Sequence, residues 1–357
     1  MSDQSTDLVL TEIQGSLGII TLNRPRAVNA LNYEMLKGVD AALTEFEKDD
    51  NVRAVLIHGA GERGLCAGGD VVSLYRAIEK EDYEQGQEYF RVEYTLNHRI
   101  ANFSKPYIAF MDGLVLGGGV GVSAHGSHRI VTENTKAGMP ETVIGFSPDI
   151  GGLNILARAP HNFGTAMALT GIHVGAADAI TVGLADYFVP ADKLEDLRKA
   201  LTDVSSAKQV TEVIEKFTQD AGDSPFEENK EWIEIAFGEE TPQEIVGALE
   251  KAAQGESTGL AEELFAAILR NSPTGVKTAL KAIRLAEKQS LAETLEQDYL
   301  TSCNAMRGHD MREGIRAQVV DKDRNPVWQP ASFDEVSDEI VDSFFNAIDS
   351  EKDLKLG

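Results

Sequence analysis

Residues Pro106–Gly121 read PYIAFMDGLVLGGGVG. Pro106–Phe110 is a short apolar run of strand length, and Gly117, Gly118, Gly119 and Gly121 lead from it into a helix of small residues. The same order stands upstream. Val52–Ile57 suits a buried strand, glycines follow at Gly59, Gly61, Gly64, Gly68 and Gly69, and Asp70 opens a helix. Ser127–Val131 is strand-like again. A strand, a glycine-rich loop and a helix that recur in this way predict an α/β fold for the first half. Nearer the start, Leu8–Ile13 and Leu17–Leu22 read as strands around Gln14-Gly15-Ser16, a hairpin signal. Asn32 caps a helix in which Met35, Leu36, Val39, Leu43 and Phe46 recur at helical spacing.

After about Ala191 strand signals fade and acidic helices take over. Thr241-Pro242-Gln243-Glu244 and Ser290-Leu291-Ala292-Glu293 are capping boxes. Val276, Leu280 and Ile283 form a core stripe. Asp220–Glu240, with Phe226, Trp232 and Phe237 scattered among acids, reads as a solvated helical face, and 205–263 is where a partner surface would lie. A chain of 357 residues exceeds one ordinary core, so two parts are expected, 1–200 and 201–357.

Lys and Arg total 33 against 58 Asp and Glu, a net charge of −25. That excludes nucleic acid or an anionic membrane as the main partner. An anionic ligand would need a local basic group or backbone dipoles. The two cysteines, Cys66 and Cys303, form no CxxC pair, so neither a disulfide framework nor a structural zinc site is expected. The start, MSDQSTDLVL, lacks a basic region and a long apolar run, and a cytoplasmic location is the expectation.

The chemistry is foreshadowed in AGMPETVIGFSPDIGGL, Ala137–Leu153. Glu141 and Asp149 stand there among apolar residues, glycine and proline, with nothing basic between them. A carboxyl buried without a cation keeps its proton or finds donors, and paired acids in a dry pocket suit acid–base or nucleophilic work. The bland alternative is a helix cap and a turn. Cys66-Ala67-Gly68-Gly69-Asp70 and Leu116-Gly117-Gly118-Gly119-Val120 are two glycine turns, each opening a helix. Their free amides would make an oxyanion hole if aimed at one point. Either turn alone could simply pack tightly.

Competing readings are weaker. Gly119-Val-Gly121-Val-Ser-Ala124 with Glu141 outlines a dinucleotide fingerprint, but Gly126 interrupts the helix and the acid is not at a strand end. His125 and His128 form an HxxH pair without a supporting carboxylate set. Cys66 has no histidine at a telling spacing and reads as a buried hydrophobe. Asp70 reads as an N-cap.

Four segments together resemble the crotonase (enoyl-CoA hydratase/isomerase) superfamily. They are Ile20–Leu31 (ITLNRPRAVNAL), Leu65–Asp70 (LCAGGD), Gly113–Gly121, and Met139-Pro-Glu-Thr142. Three features resemble its thioester-hydrolase branch: MPETVIGFSPDIGG, Arg91–Asn97 ahead of Lys105-Pro-Tyr, and Glu313–Trp328. The likeness runs from the first hairpin to about Trp328, and 208–255 adds little to it.

The resemblance implies a crotonase-like spiral of ββα units over 1–200, carrying acyl-CoA binding and catalysis, and a helical C-terminal part. It implies hydrolysis of a short 3-hydroxyacyl-CoA, 3-hydroxyisobutyryl-CoA first, with no metal or redox cofactor, coenzyme A being part of the substrate. Gly69 and Gly118 would hold the thioester oxygen. Glu141 would be nucleophile or base, Asp149 would orient water or protonate the thiolate, and Glu93 would lie at the acyl end. Arg26, Ala27, Val28 and Ala67, with Gly68 and Asp70 nearby, would contact the substrate's CoA moiety. One departure favours hydrolysis. Hydratases carry a second glutamate shortly after the glycine triplet, where this chain has Gly121, and a small residue where it has Asp149. A broad enoyl-CoA hydratase/isomerase and a non-catalytic acyl-CoA-binding protein are the alternatives. A homo-oligomer is compatible with the resemblance.

Overall fold

The computed structural model describes residues 7–255, 258–349 and 352–357. Residues 1–6, which carry most of the targeting expectation, and residues 256–257 of the acidic stretch lie outside the described residues.

Strands β1 (Val9–Gln14) and β2 (Leu17–Leu22) form the expected hairpin, in register from Val9 opposite Leu22 to Gln14 opposite Leu17. Its turn needs Gly15, which holds φ +57°; a Cβ there would come within 2.2 Å of the Thr202 carbonyl oxygen. β2 then pairs in parallel with β3 (Ala54–Gly59), and the sheet continues through β4 (Tyr107–Met111), β6 (His128–Val131) and β9 (Tyr187–Phe188). β3 and β4 are short and apolar, as strands covered on both faces are. β3 starts two residues after the expected Val52, because the Val52 amide closes a turn onto Asp49 O at 3.1 Å. A second sheet, β5 (Leu114–Leu116), β7 (Lys136–Gly138) and β8 (His173–Val174), has no counterpart in the sequence reading.

Asn32 caps α1 (Tyr33–Lys48) by accepting from Met35 N, and Asp70 caps α2 (Val71–Glu79) by accepting from Ser73 N. α3 (Tyr83–Ala101) follows at once. The small-residue helix is shorter than expected: α4 is a single turn, Gly118–Gly121, opened by Gly117 at φ +47°. β5 leads directly into it, so the sheet edge aims the glycine turn.

In the helical part both capping boxes form, at Thr241 and Ser290. Val276, Leu280 and Ile283 are buried as expected. The solvated-face reading of Asp220–Glu240 needs correction. Phe226 and Phe237 are buried, and the Phe226 ring lies 5.2 Å from that of Phe163. Ile233, Ala236 and Phe237 share one buried side of a helix whose other side carries the acids and an exposed Ile235. One apolar cluster extends from Ile20 to Leu354, and helix Leu291–Ala305 packs against α3.

Candidate active site

The two glycine turns meet. Gly69 faces Leu31 in an isolated parallel bridge, with Leu31 N donating to Gly68 O at 2.8 Å and Asp70 N to Leu31 O at 2.7 Å. That pairing turns the Gly69 amide away from Leu31. The Gly118 amide heads α4, where no intrahelical acceptor exists. Among the described residues neither amide has an acceptor. A Cβ built on Gly118 would lie 3.3 Å from Gly69 N, so the two donors are neighbours. Gly68, at φ +108°, gives the close approach its backbone shape.

Three carboxyls face this corner. Glu93 comes from α3, Glu141 opens the 3-10 turn Glu141–Ile144, and Asp149 follows on the same loop. Their residues are 3%, 6% and 5% exposed, so bulk water is largely kept from them. A Cβ on Gly117 would sit 2.7 Å from Glu141 Oε1, and one on Gly118 would sit 2.7 Å from Glu93 Oε1. Gly68, Gly69, Gly117, Gly118, Glu93, Glu141 and Asp149 all line one cavity of about 320 Å³.

The acids differ in their support. Tyr94 Oη donates to Asp149 Oδ2 at 2.6 Å, and Ser302 Oγ lies 2.6 Å from the same phenol. Glu93 shares the Tyr89 hydroxyl, 3.5 Å away, with Leu31 O at 3.0 Å. Glu141 Oε2 has no partner among the described residues. Burial therefore drives every one of these groups toward its proton. Glu141 is held well above the usual carboxylate range by burial and by the charge of Asp149. Glu93 is raised by burial and Asp149, with Tyr89 opposing. Asp149 is pushed up to about 7 by burial, with the Tyr94 hydrogen bond pulling back.

The helical part contributes what sequence reasoning missed. Met311, Gln318, Val319 and Arg324 line the same cavity. Gln318 and Val319 lie in a π-helical turn, Arg316–Val320, that widens the end of helix His309–Ile315. Arg324 Nη1 donates to Gln318 Oε1 at 2.8 Å. Tyr94, Tyr89 and Ser302 were also missed. Helical spacing from Glu93 signals only that Tyr89 and Asn97 share its face.

The other candidates divide between the cavity and its surroundings. Ala67 lines the cavity, and its amide donates to Val28 O at 2.9 Å. Arg26, Ala27 and Val28 form a turn outside the cavity lining, braced by Arg63 Nη2 on Arg26 O at 2.7 Å. Asp70, expected at the substrate, caps α2 and pairs with Arg24 at 3.0 Å; it lines the neighbouring cleft beside Tyr33 and Ser73. Cys66 is fully buried, and burial pushes its thiol up to about 12, which disarms it as a nucleophile. His125 and His128 do not converge: His125 Nε2 meets Ile150 O at 2.7 Å, whereas His128 sits between Ser127 and Thr211. Among the described residues no His, Cys, Asp and Glu cluster has metal-holding geometry. At Gly121 a Cβ would lie 2.8 Å from Asn97 Nδ2 and 3.1 Å from Ile150 Cβ, so that position has no room for a glutamate.

The family model for enoyl-CoA hydratase/isomerase matches residues 17–345. A Danio rerio protein named 3-hydroxyisobutyryl-CoA hydrolase, mitochondrial, is 38% identical over 363 residues, covering 100% of this chain and 94% of the relative. 3-hydroxyisobutyryl-CoA hydrolase 1 of Arabidopsis thaliana is 37% identical, covering 100% and 95%. Among solved structures, a carnitinyl-CoA dehydratase from Mycobacterium thermoresistibile superposes with a TM-score of 0.89 at 43% identity, over 96% of this chain and 98% of that one.

Proposed function

This chain belongs to the enoyl-CoA hydratase/isomerase family, and on that premise we propose that it hydrolyses 3-hydroxyisobutyryl-CoA to the free acid and coenzyme A. The full-length likeness to the Danio rerio and Arabidopsis thaliana hydrolases supports the substrate. The observation that carries the reaction is the corner itself: two acceptor-free amides beside a dry set of acids in one cavity.

The thioester oxygen lies between the Gly69 and Gly118 amides, where each good donor is worth about 3 kcal/mol of transition-state stabilisation. Asp149 is the acid easiest to ionise, because Tyr94 donates to it, so the roles expected from the resemblance, Glu141 as nucleophile or base and Asp149 as proton donor, are exchanged in this reading. Asp149 draws a proton from water as the water oxygen bonds to the carbonyl carbon. Charge passes to the oxyanion. As the tetrahedral species collapses, the carbon–sulfur bond breaks and Glu141, which burial keeps protonated, gives its proton to the thiolate. Asp149 then returns a proton to Glu141 through solvent. Glu93 faces the acyl end, where its carboxyl meets the 3-hydroxyl. Arg324 at the mouth and the backbone around Ala67 answer the negative charge of the CoA moiety.

Glu141→Gln and Asp149→Asn are each expected to abolish thiol release from 3-hydroxyisobutyryl-CoA while CoA affinity stays near that of the parent. Thiol release at the parent rate in the double variant would overturn the assignment. A hydratase reading draws on the Mycobacterium thermoresistibile dehydratase and on Glu93 as a second glutamate beside the amides. The filled space at Gly121 argues against it. Loss of crotonyl-CoA absorbance without thiol release would favour that alternative. On location, the Danio rerio relative is named mitochondrial, which does not support the cytoplasmic expectation. Among the described residues no helix is long and apolar enough to cross a membrane.

A further inference from the structure

We infer that Asp298 and His125 are positioning residues, which clamp the turn that presents Asp149. The inference rests on the reading of Asp149 as the base. Asp149-Ile150-Gly151 is an unfavourable piece of backbone. Ile150 sits at φ +54°, a left-handed value that a β-branched residue adopts only under constraint, and Gly151 follows at φ +69°. Such a turn relaxes unless its surroundings over-determine it.

Two hydrogen bonds from distant parts of the chain supply that constraint. His125 Nε2 meets the Ile150 carbonyl at 2.7 Å. An acceptor carbonyl requires the ring to donate there, which fixes the tautomer. Burial depresses the ring's basicity to about 4, so it stays neutral while donating. Asp298, on helix Leu291–Ala305, accepts from Gly151 N at 2.8 Å through Oδ2. It is 1% exposed, and its Oδ1 has no partner among the described residues. A carboxyl so placed is a costly way to fill a core position. Its one evident return is the Gly151 amide, two residues beyond Asp149. Burial and the nearby Asp149 hold Asp298 well above the usual carboxylate range, so it acts as a neutral acceptor. Leu291 closes the other side: a Cβ on Gly151 would lie 2.6 Å from its Cδ1. Asp149 is thus approached by Tyr94 and Glu93 from α3, by Glu141 from its own loop and by Asp298 from behind, and the clamp decides which it meets.

The test compares removal with conservative replacement. Asp298→Ala and His125→Phe each delete one clamp bond. Each is expected to lower kcat for thiol release about 100-fold, the scale of a misplaced catalytic group, with KM within about twofold of the parent. Asp298→Asn keeps a neutral acceptor and His125→Gln keeps a donor, and each should bring kcat back to within about fivefold. Amide hydrogen exchange at Gly151 should quicken in Asp298→Ala and not in Asp298→Asn. Unchanged kcat and unchanged exchange in Asp298→Ala, or an Asn variant no better than Ala, would overturn the inference. If Asp298→Ala does not fold, the His125 pair decides by the same criteria. Asp149→Asn is measured alongside. If it turns over at the parent rate, the reading of Asp149 fails, and the exchange data then judge the clamp alone.

Discussion

Two clusters of acids behave in opposite ways, one in and behind the cavity, the other on the segment that brings Gln318, Val319 and Arg324 to it. Inside, Glu93, Glu141, Asp149 and Asp298 stand together without a cation, and burial drives all four toward their protons. At the mouth, Glu313, Asp321 and Asp323 surround Arg316 at 2.8, 2.8 and 2.6 Å. There hydrogen bonds to the guanidinium hold the Glu313 and Asp323 carboxyls below the usual range. The residue types are the same; water and a counter-ion make the difference. The bridges from Arg316 to these acids shape the loop around Arg324. Of the inner acids Asp149 is pushed up to about 7, while burial holds Glu93, Glu141 and Asp298 well above the usual carboxylate range. A net charge of −25 therefore says nothing about which acids do chemistry.

The sharpest way to break the contrast is to fill the donor corner between the inner acids. Gly118→Ala would put a methyl 2.7 Å from Glu93 Oε1 and 3.3 Å from Gly69 N. The amide stays but the methyl keeps the thioester oxygen from it, and steady-state assays should show kcat down about 10²- to 10³-fold, the scale of one oxyanion donor out of reach. Next comes stability. Above the ordinary glutamate value of 4.5 the unfolded chain releases the Glu141 proton while the folded chain keeps it. Folding stability therefore falls by about 1.4 kcal/mol per pH unit until the pH reaches the raised folded value. Glu141→Gln removes that loss. In urea unfolding its advantage over the parent should be near zero at pH 4.5 and should grow toward neutrality; an advantage independent of pH would mean that the site is wet. A smaller effect is expected from Tyr94→Phe. Without the 2.6 Å donor, Asp149 should titrate above its present value of about 7. The acid limb of the kcat profile then moves up by about one pH unit, with the rate recovering at higher pH.

What was legible in the sequence was local. The glycine turns, the Glu141–Asp149 loop, the Asn32 cap and both capping boxes are each written within a few consecutive residues. The supports were not, because they join positions far apart: Tyr94 to Asp149 across 55 residues, Asp298 to Gly151 across 147, Tyr94 to Ser302 across 208. No local pattern marks such a pair. β5, β7, β8 and β9 were invisible for a different reason. At two or three residues each they are too short to show alternation, and the tertiary frame makes them strands. In Asp220–Glu240 the acids drew attention from Phe226 and Phe237, although Ile233, Ala236 and Phe237 share one helical side. Glu93 was placed by family likeness and not by its own surroundings in the sequence.

The mildest perturbation tests whether the two clusters are electrically separate. Arg316→Gln removes the cation that Glu313, Asp321 and Asp323 share, so that these acids repel one another beside the 321–325 loop. That loop holds Lys322 and Arg324 at φ +60° and +58°, and Arg324 reaches the cavity beside Gln318. Loosening it should weaken the grip on the CoA ester. KM should rise about threefold at low ionic strength, and less in high salt, where the repulsion is screened. Neither kcat nor its pH profile should move, because partly exposed charges at the mouth are damped by solvent before they reach Asp149. A shifted acid limb in Arg316→Gln would show that the mouth acids sense the same field as the dry ones, and the division between strut and catalyst would fall.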